Sequence, residues 1–419
     1  MNDNQKVSGV RQITACRICR SLDLTQFLDL GMQPLANSFL RKEDLDKQEP
    51  QYPLRVALCG SCNLVQLRDV VDPEIMFRDY LYFSSGMPAS QHFRSYAKNI
   101  VERFITAPSD LFVEIGSNDG HFLRVIKETH PNILGVDPAQ NIARLANESG
   151  IPTVPDFFGE RVAAEIAKKH GQAKVILGNN VVAHIDDHHD LAKGVKALLG
   201  DDGVFVFEAP YLVDMFENLA FDTIYHEHLS YLAVRPLVKL FAQFDMEIFD
   251  VEIHPIQGNS IRVFAAKKGA RPVSERVQEL IDKELTMKLD LIGSYHGLAE
   301  QIAKLKSEVI ALLSDLKAQG KRIAAYGAPA KGNTLLNYYG IGADVLEYAT
   351  EELPSKIGLL TPGARLPVVH VAEFRNNPPD YALLLAWNYL KVVMEKEKAF
   401  LGGGGKFIMP VGHTRIYGS

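Results

Sequence analysis

The sequence predicts an α/β protein built on a central, open and mostly parallel sheet with helices on both faces. A small metal–thiolate module precedes the sheet, and a second, smaller α/β domain follows it. Three observations carry this expectation. Short apolar strands alternate with amphipathic helices between residues 111 and 207. All four cysteines fall in two C-x-x-C pairs, Cys16/Cys19 and Cys59/Cys62. The strand–helix alternation then resumes at Arg322, after a long helical stretch.

The chain has 419 residues, enough for two or three domains at about 150 residues each. With 47% hydrophobic and 23% charged residues, each domain can bury a core. The net charge of −6 argues against a general affinity for nucleic-acid phosphates, which calls for a basic surface. A local phosphate pocket stays compatible with it. Met1 to Val10 lacks the apolar stretch of a signal peptide. Apolar runs such as Tyr381 to Trp387 fall far short of the roughly 20 residues that span a bilayer. The expectation is a soluble, cytoplasmic protein, monomeric or homodimeric, with neither nucleic acid nor membrane as partner.

The first unit covers residues 1–85. Two residues between cysteines let a tight knuckle aim both sulfurs at one ion, and two knuckles complete a tetrahedral thiolate site suited to Zn2+. Disulfides are disfavoured without an export signal. Four protein ligands close the site, so the metal is expected to hold the fold and take no part in chemistry. The unit ends in Asp79–Ser85, DYLYFSS, whose Tyr80 and Tyr82 offer hydroxyls.

Residues 86–270 form the second unit. A helix is expected over Ser90–Phe104, strands over Leu111–Ile115, Ile133–Val136, Val175–Leu177 and Val204–Phe207, and helices over Phe122–Thr129 and Ile142–Ser149. Two late strands surround the turn Gln257-Gly258-Asn259 within Ile253–Lys267. Residues 271–319 read as a helical connector without a sustained heptad. Residues 320–419 read as the smaller α/β domain, with a Gly402–Gly405 loop before its last strand.

The strand Leu111–Ile115 runs into Gly116-Ser-Asn-Asp-Gly120 and then a helix. Glycines at a strand end let another molecule approach the backbone, and the helix start offers free N–H groups. Glu114 precedes the turn, and the spacing is not the G-x-G-x-x-G of dinucleotide binders. Asp137 ends the next strand, where an acid suits the two hydroxyls of a ribose.

Tyr225-His226-Glu227-His228 concentrates four polar groups that a core could not satisfy together. Acid–base work by a histidine suits it better than a metal, because H-E-x-x-H is absent. His184 follows the fourth strand, beyond the carboxyl ends of the strands, where ligands of α/β sheets sit. In the last domain, Ala325-Tyr-Gly-Ala-Pro-Ala-Lys-Gly-Asn333 is a glycine-rich strand-to-helix turn that could cradle a phosphate or cap a helix.

E-x-G-x-x-x-G with a second-strand Asp resembles the class I S-adenosylmethionine (SAM) methyltransferases. That likeness implies Glu114, Gly116, Asn118 and Gly120 at the methionine end and Asp137 on the ribose. It also implies Asp156 and Phe157 beside the adenine, and Asn179 near the methionine. C-R-I-C, C-G-S-C, Y-L-Y-F-S-S, V-E-I-G-S-N-D-G, Y-H-E-H and A-Y-G-A-P-A-K-G-N, in that order, resemble the zinc-containing sugar C-methyltransferases of branched-deoxysugar pathways. The resemblance spans nearly the whole chain. It implies methylation at C-3 of a nucleotide-diphosphate 4-keto-6-deoxyhexose, with SAM and structural Zn2+ as cofactors. His228 would be the base, oriented by Glu227 and Tyr225, while His184 and either Tyr80 or Tyr82 would meet the enolate or keto oxygen. Tyr326, Lys331, Asn333 and Lys356 would lie near the nucleotide. No family role carries over to His226. The rivals are an NAD-dependent nucleotide-sugar oxidoreductase or epimerase, a nucleic-acid methyltransferase and a non-catalytic methyltransferase-fold protein.

Overall fold

The computed structural model describes residues 9–77, 91–255 and 258–418. Tyr80 and Tyr82 lie outside the described residues, as does Gln257 of the expected late turn.

The central domain is a seven-stranded sheet. Counted in chain order, its strands are Leu111–Ile115, Ile133–Val136, Thr153–Val154, Ala173–Asn179, Leu199–Pro210, Met246–His254 and Ser260–Lys267. Their order across the sheet is 3-2-1-4-5-7-6. Strands one to five pair in parallel, and the seventh is antiparallel to both neighbours. Strand 1 is buried at all five positions, the near-continuous apolar run of a parallel strand covered on both faces. The order reverses between strands 1 and 4, the switch point where open α/β sheets bind ligands. Register puts Ile115 opposite Val136 and Gly178, and Asn179 opposite Glu208, so the residues that end these strands open onto one crevice.

The sixth strand begins at Met246, earlier than the pattern suggests. Residues 248–251 are all buried, so no alternation marks its start. The connector is two helices, Glu275–Thr286 and Ile292–Ala318. Lys288 sits between them with φ +56°, a break that no Gly or Pro announces. Glu284, buried on the first helix, accepts the Tyr211 hydroxyl at 2.8 Å and the Val234 and Arg235 N–H groups at 2.7 and 3.1 Å. Those bonds satisfy the carboxylate and lock the connector to the central domain.

The N-terminal module folds around an antiparallel sheet with the order 230–231, 65–67, 52–59, 24–33. Its edge strand, Ser230–Tyr231, comes from the central domain directly after Tyr225–His228. The C-terminal domain has a six-stranded sheet, parallel except for its last strand, in the order 368–370, 349–351, 323–326, 381–384, 406–409, 415–417. It docks on both other parts. The Asn333 amide donates to the Ala36 carbonyl at 2.7 Å, the Gly363 N–H donates to Glu49, and Trp387 Nε1 donates to Asp222 at 2.6 Å. No helix among the described residues is long and apolar enough to cross a membrane.

Candidate active site

A cavity of about 820 Å3 opens at the switch point and extends under the C-terminal domain. Its walls include Glu114, Gly116, Asn118, Asp137, Phe157 and Asn179 from the expected cofactor set. His184, Tyr225, Glu227 and His228 continue the wall, and Lys331 and Lys356 close the far side. Residues more than 200 positions apart in sequence thus share one space.

The glycine turn is built as the sequence suggests. Gly116 and Gly120 have φ +66° and +77°, in the left-handed region that favours glycine. A Cβ on Gly116 would come within 2.8 Å of the Val181 side chain. Gly120 does not line the cavity; it shapes the turn from behind, against Ile151. Asp137 accepts the Asn118 and Ala139 N–H groups at 2.8 and 3.0 Å, which pins the turn to the second strand. Asp156 also stands off the cavity, paired with Arg161 at 2.6 Å, while the ring of its neighbour Phe157 faces in, half-exposed.

Two observations test whether SAM fits here. Glu114 Oε2 is buried on the cavity wall, and neither it nor the Asn179 amide that partly stabilises the carboxylate makes a hydrogen bond of good geometry among the described residues. Burial pushes its carboxyl well above the usual range, and Asp137 adds to the effect. An ammonium group would supply the missing partner. Asp137 faces the same cavity beyond the glycine turn, where a sugar diol can be held.

The histidines are tightly defined. His228 Nδ1 lies 2.8 Å from the Thr223 carbonyl, which can only accept, so this nitrogen carries the proton. Nε2 then presents its lone pair, which accepts the Tyr225 hydroxyl at 2.7 Å. Burial lowers the His228 pKa to about 4 and that of His184 to about 3. The two rings lie 4.9 Å apart, and both are neutral at ordinary pH. Glu227 accepts the Asn37 amide at 2.7 Å, a contact from the N-terminal module that spacing alone could not reveal. His226 points the other way, buried edge-on against Tyr52 with ring centroids 5.8 Å apart, and does not line the cavity.

The C-terminal residues divide. Burial lowers the Lys331 pKa to about 8, against the opposing charges of Asp222 and Asp214. Its ammonium sits 3.8 Å over the Trp387 ring and donates to Asn388 at 2.6 Å. Lys356 donates to the Ala328 carbonyl at 2.9 Å and lies 3.5 Å from Glu351. Tyr326 and Asn333 are absent from the cavity wall. The Tyr326 hydroxyl donates to the buried Glu397 at 2.8 Å within the domain core, and Asn333 is committed to Ala36. Their place in a glycine-rich turn suggested ligand contact, but the first serves its own domain and the second a domain junction. Asp222 and Glu208 were not singled out by sequence: each is a lone acid in an apolar context. Glu208 lines the cavity, paired with Arg262 at 2.8 Å and with His92 at 3.0 Å.

The four cysteine sulfurs converge within 4.8 Å of one another. Cys16 and Cys62 are 3.4 Å apart and Cys19 and Cys59 3.5 Å, too far for disulfides. A tetrahedron with Zn–S near 2.3 Å has edges of about 3.8 Å, so the donors fit Zn2+.

Fold and site define a class I SAM-dependent methyltransferase carrying a zinc-binding module. Residues 89–251 match the family model described as "Methyltransferase domain". Residues 16–77 match "Putative zinc binding domain", and residues 255–412 match "C-methyltransferase C-terminal domain". The C-methyltransferase NovU of Streptomyces niveus is 38% identical over 409 residues, covering 97% of each chain. The chain belongs to this C-methyltransferase family. Among solved structures, a SAM-dependent methyltransferase from Anabaena variabilis aligns with 43% of this chain and 86% of its own, at 15% identity and a TM-score of 0.36. The plantazolicin methyltransferase BpumL, bound to SAH, aligns with 42% of this chain and 82% of its own, at 13% identity and a TM-score of 0.33.

Proposed function

We propose that the enzyme methylates C-3 of a nucleotide-diphosphate 4-keto-6-deoxyhexose. The observation that carries this reading is a single cavity holding, side by side, the glycine turn, His228 with Nε2 unprotonated, and two half-buried lysines. C-methylation needs a carbon nucleophile, and a proton beside a ketone is the accessible source of one. The Tyr225 hydroxyl turns off Nε2, His228 Nε2 then takes that proton, and the C–H electron pair moves to leave negative charge on the carbonyl oxygen. Burial that keeps the imidazole neutral also keeps it ready, because its positive charge appears only as the enolate charge develops beside it. His184 lies within reach as a donor to that oxygen, with Tyr80 or Tyr82 in the same role by resemblance. Tyr225 and Glu227 orient the base and the sugar. Glu114, Gly116, Asn118, Asp137, Phe157 and Asn179 hold SAM, whose sulfonium supplies an electrophilic methyl carbon when bound. With that donor bound, the C-3 carbanion would take the methyl carbon with its own electron pair, the sulfur would keep the C–S pair, and the carbonyl would re-form.

Lys331 and Lys356 are the diphosphate partners in this reading, since half-buried ammonium groups at the cavity wall suit an anion. Lys331→Gln is expected to raise KM for the nucleotide sugar about 10- to 100-fold, with SAH affinity unchanged. The pH profile follows from two signs. Lys331 is charged below its pKa of about 8, so KM rises as pH climbs through 8. His228 is an unprotonated base above about pH 4, so kcat stays flat down to about pH 5. A kcat that falls with an apparent pKa near 6.5 would contradict the burial argument. The function itself is tested by incubating the protein with SAM and a panel of nucleotide 4-keto-6-deoxysugars, followed by mass spectrometry. A gain of one methyl mass is expected with at least one of them. Turnover only on substrates without an adjacent ketone would remove the reading.

A further inference from the structure

We propose that Arg17, inside the first zinc knuckle, is a positioning residue that fixes the spacing of His184 and His228 across the cavity. The inference rests on the reading of those histidines as the reacting pair. The Arg17 side chain is 2% exposed and bonds to two chain segments at once. Its Nε donates to Asp186 at 3.0 Å, and its Nη1 donates to the Leu67 carbonyl at 2.7 Å and to Gln66 Oε1 at 3.2 Å.

Each segment leads directly to one histidine. Asp186 lies two residues beyond His184, at the end of the short turn that carries it. The Leu67 N–H donates to the Leu229 carbonyl at 3.0 Å, and Gln66 pairs with Ser230, so this strand borders the residues that follow His228. One rigid guanidinium therefore spans the two backbones that set the 4.9 Å ring separation. The metal knuckle anchors the other end: Gln66 Nε2 also donates to the Cys16 sulfur at 3.3 Å.

Other contacts run between the knuckle and this turn. Arg11 bonds Asp186, Arg20 bonds Asp187 at 3.0 Å, and His189 donates to the Ile18 carbonyl. Arg11 and Arg20 are half-exposed, at 56% and 50%, so solvent screens them and their pairs hold geometry weakly. Arg17 is the one of the three held in low dielectric. Desolvation offsets most of what a buried ion pair adds to stability, which leaves fixed geometry as the main contribution.

The test uses the full-length, zinc-loaded protein with Arg17→Met, Arg17→Lys and the surface control Arg20→Ala. Zinc content, thermal midpoint, SAH affinity, kcat, KM and the histidine NMR signals are measured on each. Arg17→Met is expected to keep its zinc and to bind SAH within twofold of the parent. Its kcat falls about 10- to 100-fold with KM changed less than threefold, the cost of a small misplacement of reacting groups. The His184 and His228 signals shift, Arg17→Lys recovers part of the rate, and Arg20→Ala behaves like the parent. If Arg17→Met loses zinc, Asp186→Asn breaks the same link from the cavity side and is expected to reproduce both the rate loss and the signal shift. Unmoved histidine signals with parental kcat, in Arg17→Met or in that replacement, overturn the proposal. Full turnover in His228→Asn alongside shifted signals would instead overturn the base assignment and leave the positioning role standing.

Discussion

Replacing His228 with Asn is expected to lower kcat by about 10²- to 10⁴-fold, the range for loss of a positioned general base. Asn retains an N–H that can serve the Thr223 carbonyl, so the loop holding Tyr225 keeps its anchor. It offers no lone pair where Nε2 meets the Tyr225 hydroxyl. His228 is half-buried on the cavity wall and the glycine turn belongs to another segment, so SAH affinity should stay within about twofold by calorimetry. Turnover near the parental rate would remove His228 as the base. A matching loss of SAH affinity would mean that the substitution disturbs the fold instead.

Stripping the metal is expected to unfold the N-terminal module and to abolish turnover with it. Structural zinc of this kind contributes about 10–16 kcal/mol in small peptide sites, as much as the whole stability of a typical domain. The damage should spread beyond the knuckles. The strand Val65–Leu67 pairs with Ser230–Tyr231, and Asn37 holds Glu227, so loss of the module removes two supports of the Tyr225–His228 loop. Limited proteolysis after treatment with a strong chelator should cut within residues 9–77 first, and the near-ultraviolet circular dichroism should fall. Cys59→Ser should reproduce both effects. Lost catalysis in a chelated protein that resists protease as well as the holoprotein does would contradict the structural role.

The features legible in the sequence were those written in local chemistry. Gly116 and Gly120 occupy positive-φ positions, which glycine takes most readily, so the turn announces itself. Two C-x-x-C pairs carry their own geometry, and alternating apolar runs mark strands 1 and 2 with their observed bounds. What could not be read depends on contacts distant in sequence. His226 and His228 are near neighbours with the same chemistry, yet Tyr52 packs against the first while the second faces the cavity. Tyr326 looked like a ligand contact, but its partner Glu397 lies 71 residues further on. Lys331 and Lys356 share a cavity with the Tyr225–His228 loop because the C-terminal domain docks through Asn333 and Trp387, and no periodicity encodes that docking.

In the proposed reaction a carbon beside a ketone gives up its hydrogen and accepts the methyl group. A nucleotide 4-keto-6-deoxyhexose deuterated at C-3 and SAM carrying a 13C methyl test it in one reaction, with the product resolved by NMR. The expected product has the labelled methyl bonded directly to C-3, with the deuterium released to solvent in step with methylation. A methyl on oxygen or nitrogen, or deuterium retained at C-3, would contradict the account.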